Sequence, residues 1–343
     1  MKSDLKVPPK HQYLFWLVLA AFSTFFAEVF SGSDMFPFFN AWGILVVVPL
    51  YGLHIILLAS QVYRVEKPRF SSLVFAGMIF GLYEAYLTKV LWAPPWGDPV
   101  IIAGFAPFET LLLVFWWHAW FSFIIPLLVA EKLLTGSTSL GASLPGKLGT
   151  FFNSWGGLAA VMTFGGLFQS LNSPSPADSL FSGISTTAIL VLLVLIWKRV
   201  TRERNYKMED LLPNRKQCQV LLIPAGMMYL AMGILIRPDW YPNLIGHLMI
   251  WLLYAVVIFL FTRSQKQAPQ VSEAAEIESW AYKRWLLLVG IFPVAATAGK
   301  ILLTGLFEII AVICWFGGIA YGLATFIQAV KLTFPTEGDE AHA

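Results

Sequence analysis

The chain alternates between long apolar runs and short breaks that are polar or rich in glycine and proline. Each run has about the 20 residues that an α-helix needs to cross a bilayer. The runs cover residues 13–30, 41–60, 71–91, 108–131, 149–170, 179–197, 217–236, 242–262, 285–303 and 306–330. They are too long and too continuous for the strands of a membrane barrel. The pattern therefore predicts about ten membrane-spanning α-helices.

Composition favours lipid as the solvent of this chain. Of its 343 residues, 57% are hydrophobic and only 13% are charged, whereas soluble domains carry about 25% charged residues. Ten spans leave only short connections, so no sizeable soluble domain fits. We predict an all-α integral membrane protein with a cytoplasmic tail at 1–12, one polytopic transmembrane domain at 13–330 and a disordered cytoplasmic tail at 331–343.

The distribution of basic residues predicts the orientation, because Lys and Arg concentrate on the cytoplasmic side of membrane proteins. If the N-terminus is cytoplasmic, all but three of the 23 Lys and Arg residues fall in cytoplasmic connections or tails. The exceptions are Lys89, Arg237 and Lys300. This asymmetry indicates ten spans with both termini in the cytoplasm. The cytoplasmic connections 198–216 and 263–284 are expected to lie against anionic headgroups rather than to bind nucleic acid.

Ionisable residues inside apolar runs are costly and by default mark functional sites. Glu28, at the outer end of the first run, either lines an outward-facing pocket or lies in headgroup water as an interfacial carboxylate. Glu84 lies deeper in the third run, where it serves a functional site or an interhelical hydrogen bond. Lys89 follows five residues later, and a regular helix would turn it away from Glu84. We expect Lys89 to pair with another helix or to snorkel outward.

The fourth run carries a polar stripe with helical spacing. His118, Ser122 and Pro126 recur every four residues, and Pro126 has no N–H to offer the Ser122 carbonyl. An imidazole, a hydroxyl and an open carbonyl on one stripe favour a proton relay or a substrate clamp. The alternative is a packed histidine that bonds to a neighbouring helix. Glu131, later in the same run, is expected to snorkel to the cytoplasmic surface.

A further pair of charges flanks the tight turn between the last two runs. Lys300 and Glu308 stand at similar distances from Thr304 and Gly305, so a helical hairpin places them at similar depth. We expect them to form a structural ion pair, because two opposite charges neutralise each other inside a membrane.

On the predicted topology, most of the intramembrane charges collect in the outer half of the bilayer. The acids and lysines that fall there are Glu28, Glu84, Lys89, Glu109, Lys300 and Glu308. We therefore predict a polar cavity that is open outward in at least one state. The chain has no phosphate-binding loop, no zinc-protease or esterase motif and no dinucleotide fingerprint. It also lacks the cysteine spacing that is typical of metal sites, and the cofactor, if there is one, is unknown from the sequence.

Several short segments of the chain follow one another in the same order as the motifs of a known family. They are EVFSGS at 28–33, Leu50-Tyr51-Gly52, Gly81-Leu82-Tyr83-Glu84 with Lys89 and Trp92, and His118-Ala119 with Ser122 and Pro126. Over residues 28–131 the chain resembles a family of uncharacterised bacterial multi-pass membrane proteins. This resemblance implies an integral protein of the bacterial cytoplasmic membrane and brings no activity with it.

A fainter likeness is to the CAAX-prenyl-protease-like intramembrane proteases, which use a Glu-Glu-x-x-x-Arg motif and intramembrane histidines. Here Glu84 is followed by Ala85 instead of the second Glu, and Lys89 replaces the Arg. Around His118, Val114 and Ser122 stand where that family has Phe and Asn. The likeness implies a hydrolase in which Glu84 is the general base that activates water and His118 polarises the substrate.

Three functions follow from these residues. The leading hypothesis is a membrane protein that binds or transports a small molecule or ion through Glu28, Glu84, Lys89, His118 and Ser122. The second is an intramembrane hydrolase that uses Glu84 and His118. The third is a structural or assembly protein whose buried charges hold its helices together.

Overall fold

The described part of the chain is helical. A computed structural model describes residues 7–65, 67–202, 204–266, 282–303 and 305–335. These residues form helices joined by short connections, with no β-strand among them, which confirms the all-α prediction. The predicted tail 331–343 lies outside the described residues from position 336 onward, as do residues 1–6 and most of the connection 263–284. The predicted headgroup contacts of that connection therefore stay predictions.

Ten helices of 18 residues or more occur in the described part of the chain. We number them α1 (Pro9–Val29), α2 (Gly43–Val62), α3 (Phe70–Leu87), α4 (Pro107–Leu134), α5 (Trp155–Asn172), α6 (Pro176–Thr201), α7 (Arg215–Leu235), α8 (Leu244–Ser264), α9 (Tyr282–Leu302) and α10 (Phe307–Thr333). Shorter helical segments lie at Ser139–Ser143, Gly146–Asn153, Met208–Leu211 and Pro238–Trp240.

By length and apolar composition, nine of these described helices suit a membrane span, and α5 is the exception. Helix α5 is less apolar because its 18 residues include Gln169, Asn172 and four glycines. It nevertheless packs closely and in parallel against α9. Gly166 lies against Phe292, and Gly299 of α9 lies against Ser170. The tenth predicted span is thus present as a helix, and its crossing of the bilayer stays a prediction.

One end of the helix bundle holds the connections α1–α2, α3–α4 and α7–α8, and we call it the Trp96 end. There the side-chain amide of Asn172 donates to the carbonyl of Ser31 at 2.6 Å. The Trp92 indole N–H donates to the carbonyl of Trp240. On the predicted topology this end is extracytoplasmic.

The other end of the bundle holds the connections α2–α3, α4–α5 and α6–α7, and we call it the Glu131 end. The backbone N–H of Gly136 donates to the Tyr206 carbonyl at 2.8 Å, which joins two of these connections. Arg69 donates to the carbonyl of Gln265 at 2.8 Å and joins a third connection to the C-terminus of α8. Each helix therefore runs from one end of the bundle to the other.

Helices α3 and α4 lie at the centre of the bundle, whereas α7, α8 and α10 are the least buried. The peripheral helices expose large apolar side chains, such as Ile223 on α7, Phe259 on α8 and Ile313 on α10. Such surfaces suit lipid, because hydrocarbon tails are as apolar as these side chains. The centre of the bundle is therefore where polar groups must find protein partners.

Glycines bring the backbones of α3 and α4 unusually close. A Cβ atom added to Gly77 would lie 2.7 Å from the Cα of Ala119 and 2.8 Å from its carbonyl oxygen. One turn later, a Cβ at Gly81 would lie 2.9 Å from the Cα of Val114. Small residues permit this kind of approach between membrane helices.

Glu131 does not snorkel, contrary to the sequence-based expectation. Its side chain is fully buried and accepts hydrogen bonds from the backbone N–H groups of Leu140 and Gly141, both at 2.9 Å. The hydroxyls of Ser139 and Tyr63 donate to the same carboxylate at 3.2 and 3.4 Å. These donors belong largely to the first turn of Ser139–Ser143, where the helix dipole favours an anion. The carboxylate is therefore satisfied inside the protein.

We expect Gly77→Ala to destabilise the protein by about 1–3 kcal/mol, because the new methyl group meets backbone that cannot move cheaply. Thermal unfolding in detergent measures this as a lower Tm. The matched control is Gly226→Ala on α7, where an added Cβ meets nothing within 4 Å. That control should keep or raise the Tm, since Ala favours a helix over Gly. Equal Tm changes in the two variants would contradict the packing described above.

The topology predicts which exposed positions a membrane-impermeant thiol reagent reaches from outside. After replacement of Cys218 and Cys314, we expect Asp98→Cys and Ala177→Cys to be labelled in intact cells. Lys147→Cys should be labelled only after permeabilisation. All three positions are exposed. If Ala177→Cys behaves like Lys147→Cys, α5 does not cross the bilayer; if the whole pattern reverses, the N-terminus is extracytoplasmic.

Candidate binding cavity

A cavity of about 420 Å³ lies at the Trp96 end of the bundle, between α1, α2, α3, α4 and α7. Its polar lining consists of Glu28, Ser31, Ser33, Tyr51, Glu84, Thr88, His118 and Arg237. Three of the residues named by the sequence as binding residues, Glu28, Glu84 and His118, therefore share one cavity. Indole rings and aliphatic side chains form the rest of the wall.

Glu84 and His118 join α3 to α4 at the cavity wall. Glu84 Oε2 lies 2.8 Å from His118 Nε2, and His118 Nδ1 lies 2.8 Å from the hydroxyl of Ser122. The ring of Phe80 stacks on the imidazole at a centroid distance of 6.1 Å. The close approach at Gly81, where an added Cβ would lie 3.1 Å from His118 Cβ, brings the two helices within reach of this bond.

Glu28 is held by two hydroxyl groups from outside its own helix. The Tyr51 hydroxyl on α2 donates to Oε1, and the Ser33 hydroxyl in the α1–α2 connection donates to Oε2. Glu28 lies in the segment Phe25–Val29, where α1 widens into a π-helical turn. Both oxygens of this carboxylate are therefore oriented before any ligand arrives.

The charged groups of the cavity lining are two carboxylates, Glu28 and Glu84, and one guanidinium, Arg237. Glu84 keeps 12% of its side-chain surface exposed, and no described residue donates to its second oxygen, Oε1. Arg237 is the basic residue in the lining, and its guanidinium lies over the ring of Trp240 at 4.1 Å. Within the described residues, no three His, Cys, Asp or Glu side chains converge as metal ligands would. The cavity thus offers two acids, one of them with a free acceptor.

The hydrogen bonds define how His118 can change its proton count. Nε2 donates to the Glu84 carboxylate, so in the neutral imidazole Nδ1 is the acceptor for the Ser122 hydroxyl. When the ring gains a proton, Nδ1 becomes a donor and the Ser122 hydroxyl turns to accept. The ring can therefore take up or release a proton while its heavy atoms keep the same partners.

The Ser122 carbonyl is occupied by a neighbouring helix. Pro126 has no N–H to give it, and the hydroxyl of Ser23 on α1 donates to this carbonyl at 2.6 Å. The predicted relay or clamp would use this carbonyl, whereas in the structure the carbonyl joins α1 to α4. Ser122 itself is fully buried and does not line the cavity.

Lys89 lies outside the cavity. Helix α3 ends at Leu87 and Lys89 adopts a left-handed backbone with φ of 63°, so no regular helix joins Glu84 to Lys89. The expectation that Lys89 pairs with another helix is confirmed. Its ammonium donates to the carbonyls of Gly233 and Ile236 at the C-terminus of α7. A cation there complements the helix dipole, and burial lowers the pKa of Lys89.

Lys300 and Glu308 lie at the Trp96 end, on α9 and α10. The ammonium of Lys300 lies 4.5 Å from the ring centroid of Phe307, the residue before Glu308. Thr304, in the turn between the two helices, lies outside the described residues. The ion pair expected between Lys300 and Glu308 stays a prediction.

Several cavity residues were not assigned by the sequence analysis. Tyr51 and Ser33 orient Glu28, and Trp42, Trp96 and Trp117 supply aromatic walls. Tyr51 and Ser33 fall within the short pieces that carry the family resemblance, which was the available signal. The tryptophans resemble interfacial anchors in sequence, so nothing in their spacing distinguishes a cavity wall from a membrane belt.

Comparisons with known proteins agree with this architecture. A model of an uncharacterised membrane protein family matches residues 17–335. An uncharacterised protein of the archaeon Archaeoglobus fulgidus is 34% identical over 321 residues, which cover 91% of this chain and 96% of the relative. No solved structure matches.

Neither the family model nor the archaeal relative points to the CAAX-type proteases, and the bacterial cytoplasmic membrane stays a prediction. The match to the family model nevertheless extends over nearly the whole chain and includes the cavity residues. This protein therefore belongs to an uncharacterised family of multi-pass, helical membrane proteins.

Proposed function

We propose that the protein binds a small cation in the cavity at the Trp96 end, with Glu84 and Glu28 as its counter-charges. The observation that carries this proposal is how the two carboxylate oxygens of Glu84 are hydrogen-bonded. One of its oxygens is fixed by His118, and the other borders the cavity without a donor from the described residues. A carboxylate oriented in this way is a ready acceptor for a charged ligand.

The surroundings of the two acids support a cation over an anion or a neutral ligand. Two carboxylates that share one poorly solvated site repel each other, and a bound cation relieves that repulsion. Trp42, Trp96 and Trp117 present aromatic surface in the same lining. Aromatic faces attract cations, so both the aromatic wall and the acids favour a cationic ligand.

A bound cation would compete with His118 for the Glu84 carboxylate. A cation that draws this carboxylate into the cavity would take it from Nε2 of His118. Transport would require that the same groups also become accessible from the Glu131 end. Our proposal is limited to binding, which is a step that a binding protein and a transporter share.

A second candidate function is intramembrane hydrolysis. The hydrogen bond between Glu84 and His118 favours it, because a carboxylate with a free oxygen can activate water beside an imidazole that polarises a carbonyl. Ser122 is not suited to act as a nucleophile, since it is fully buried behind His118. In this version Glu84 is the general base.

We expect Glu84→Gln to weaken the binding of tetramethylammonium by about 10–100-fold, because the variant removes a Coulombic attraction of about 1.5–3 kcal/mol between the carboxylate and this cation, which has no N–H group to donate. Calorimetry on purified protein in lipid nanodiscs measures the affinity. In the unchanged protein the affinity should fall as the pH is lowered, because protonation removes the negative charges of the cavity. That dependence should be shallower in the variant.

The matched control is Glu308→Gln, which removes an exposed acid at the same end of the bundle but outside the cavity lining. It should leave the affinity for tetramethylammonium unchanged. A folded Glu84→Gln protein that binds as well as the unchanged protein would refute the proposal. Loss of folding in Glu84→Gln, together with no binding by the unchanged protein, would favour the structural or assembly role.

Hydrolysis predicts a different result with the same variants. A fluorogenic peptide or lipid ester incubated with the purified protein would be turned over, and turnover would vanish in Glu84→Gln but persist in Glu308→Gln. Addition of tetramethylammonium should then inhibit the reaction, because it occupies the same cavity. Turnover that survives Glu84→Gln would exclude Glu84 as the general base.

A further inference from the structure

A second cavity, of about 430 Å³, lies beside the first at the Trp96 end. Building on the proposed cation site, we infer that the ligand is an amphiphilic organic cation. Its ammonium head would occupy the polar cavity, and its alkyl or aryl tail would occupy the second one. The inference rests on the proposed function and specifies its class of ligand.

The two cavities are continuous in their lining. They share Ser31 and Ser33 from the α1–α2 connection, Pro95 and Trp96 from the α3–α4 connection, and Leu113 and Trp117 from α4. Trp117 and Leu113 therefore present one surface toward the acids and another toward the second cavity. A molecule that passes these side chains reaches both spaces.

The second cavity has the chemistry of a tail site. Its remaining wall is mostly apolar and includes Trp116, Phe168, Leu171, Ala311 and Trp315. No charged residue appears in its lining. A purely polar ligand would thus find few partners there besides Ser31, Ser33 and Asn172, whereas each buried methylene of a tail is favourable.

The position of the second cavity favours a ligand that comes from the membrane. It lies between α4, α5 and the first turns of α10. The face of α10 that is turned away from this wall carries Ile309, Ile313 and Phe316, which are more than half exposed and suit contact with lipid. A tail that projects between α5 and α10 would meet hydrocarbon rather than water. The lipid is therefore the side from which the tail of an amphiphile would enter.

The test is a series of alkyltrimethylammonium ions whose tail has one, four or eight carbons, used below their micelle-forming concentrations. Binding to the protein in nanodiscs is measured against empty nanodiscs. We expect the affinity, referred to the concentration of the ion free in water, to rise about fourfold per added methylene, which corresponds to about 0.8 kcal/mol. Octyl sulfate and octyl glucoside, which carry the same tail without the cation, should bind far more weakly.

The variant Ala311→Trp fills the second cavity, and Ala320→Trp is its matched control. Position 320 is exposed, lies nine residues later on the opposite face of α10, and lines neither cavity. Ala311→Trp should keep the affinity for tetramethylammonium and lose the gain with tail length, whereas Ala320→Trp should keep both. If Ala311→Trp does not fold, Leu171→Phe fills the same space from α5 and should give the same result.

The outcomes separate this inference from the proposed function. Binding of tetramethylammonium with no gain from the tail, or with the same gain in Ala311→Trp, overturns the amphiphile and leaves the cation site. Equal binding of octyl sulfate or octyl glucoside also overturns it, because the head would then not be recognised. Failure of the whole series, tetramethylammonium included, refutes the proposed function itself.

Discussion

The hydrogen bond between Glu84 and His118 is the interaction on which the rest of the centre depends. Lipid supplies no water to an ionisable side chain, so each such group needs a partner within the protein. That partner becomes reachable only because Gly77 and Gly81 let α3 approach α4 at backbone distance. The bond then fixes one oxygen of Glu84 and leaves the other facing the cavity. The glycine packing between α3 and α4 therefore also determines where the cavity has its free carboxylate oxygen.

Widened helical turns recur around the cavity. Three segments of the described chain adopt the π-helical hydrogen-bonding pattern, and they are Phe25–Val29, Gly43–Val47 and Leu111–Ile124. Each contributes to the lining, and two of them carry Glu28 and His118. A π-helical turn contains an additional residue and is common at functional sites. In this protein the departures from regular α-helix occur where side chains must be aimed at a shared space, while the peripheral helices remain regular.

The sequence predicts the helices well because a membrane span is a local property of about 20 consecutive residues. It also singles out Glu28, Glu84 and His118, since charge in lipid is conspicuous. Their partners are not local, and no spacing along the chain places Tyr51 beside Glu28. The error at Lys89 has the same origin. Helix α3 ends two residues before Lys89, and the carbonyls that hold this lysine come from a helix far along the chain.

The parallel pairing of α5 with α9 has a consequence for how the protein is made. More than one hundred residues separate the two helices, so α5 leaves the ribosome long before the surface that covers it exists. Until then Gly166 lacks the α9 backbone that covers it in the finished protein, whereas Gln169 already has Ser182 of α6 as a partner. Assembly in the membrane therefore finishes late, when α9 closes over α5. A chain interrupted between these two helices would present its least apolar helix without its partner to the quality-control proteases of the membrane.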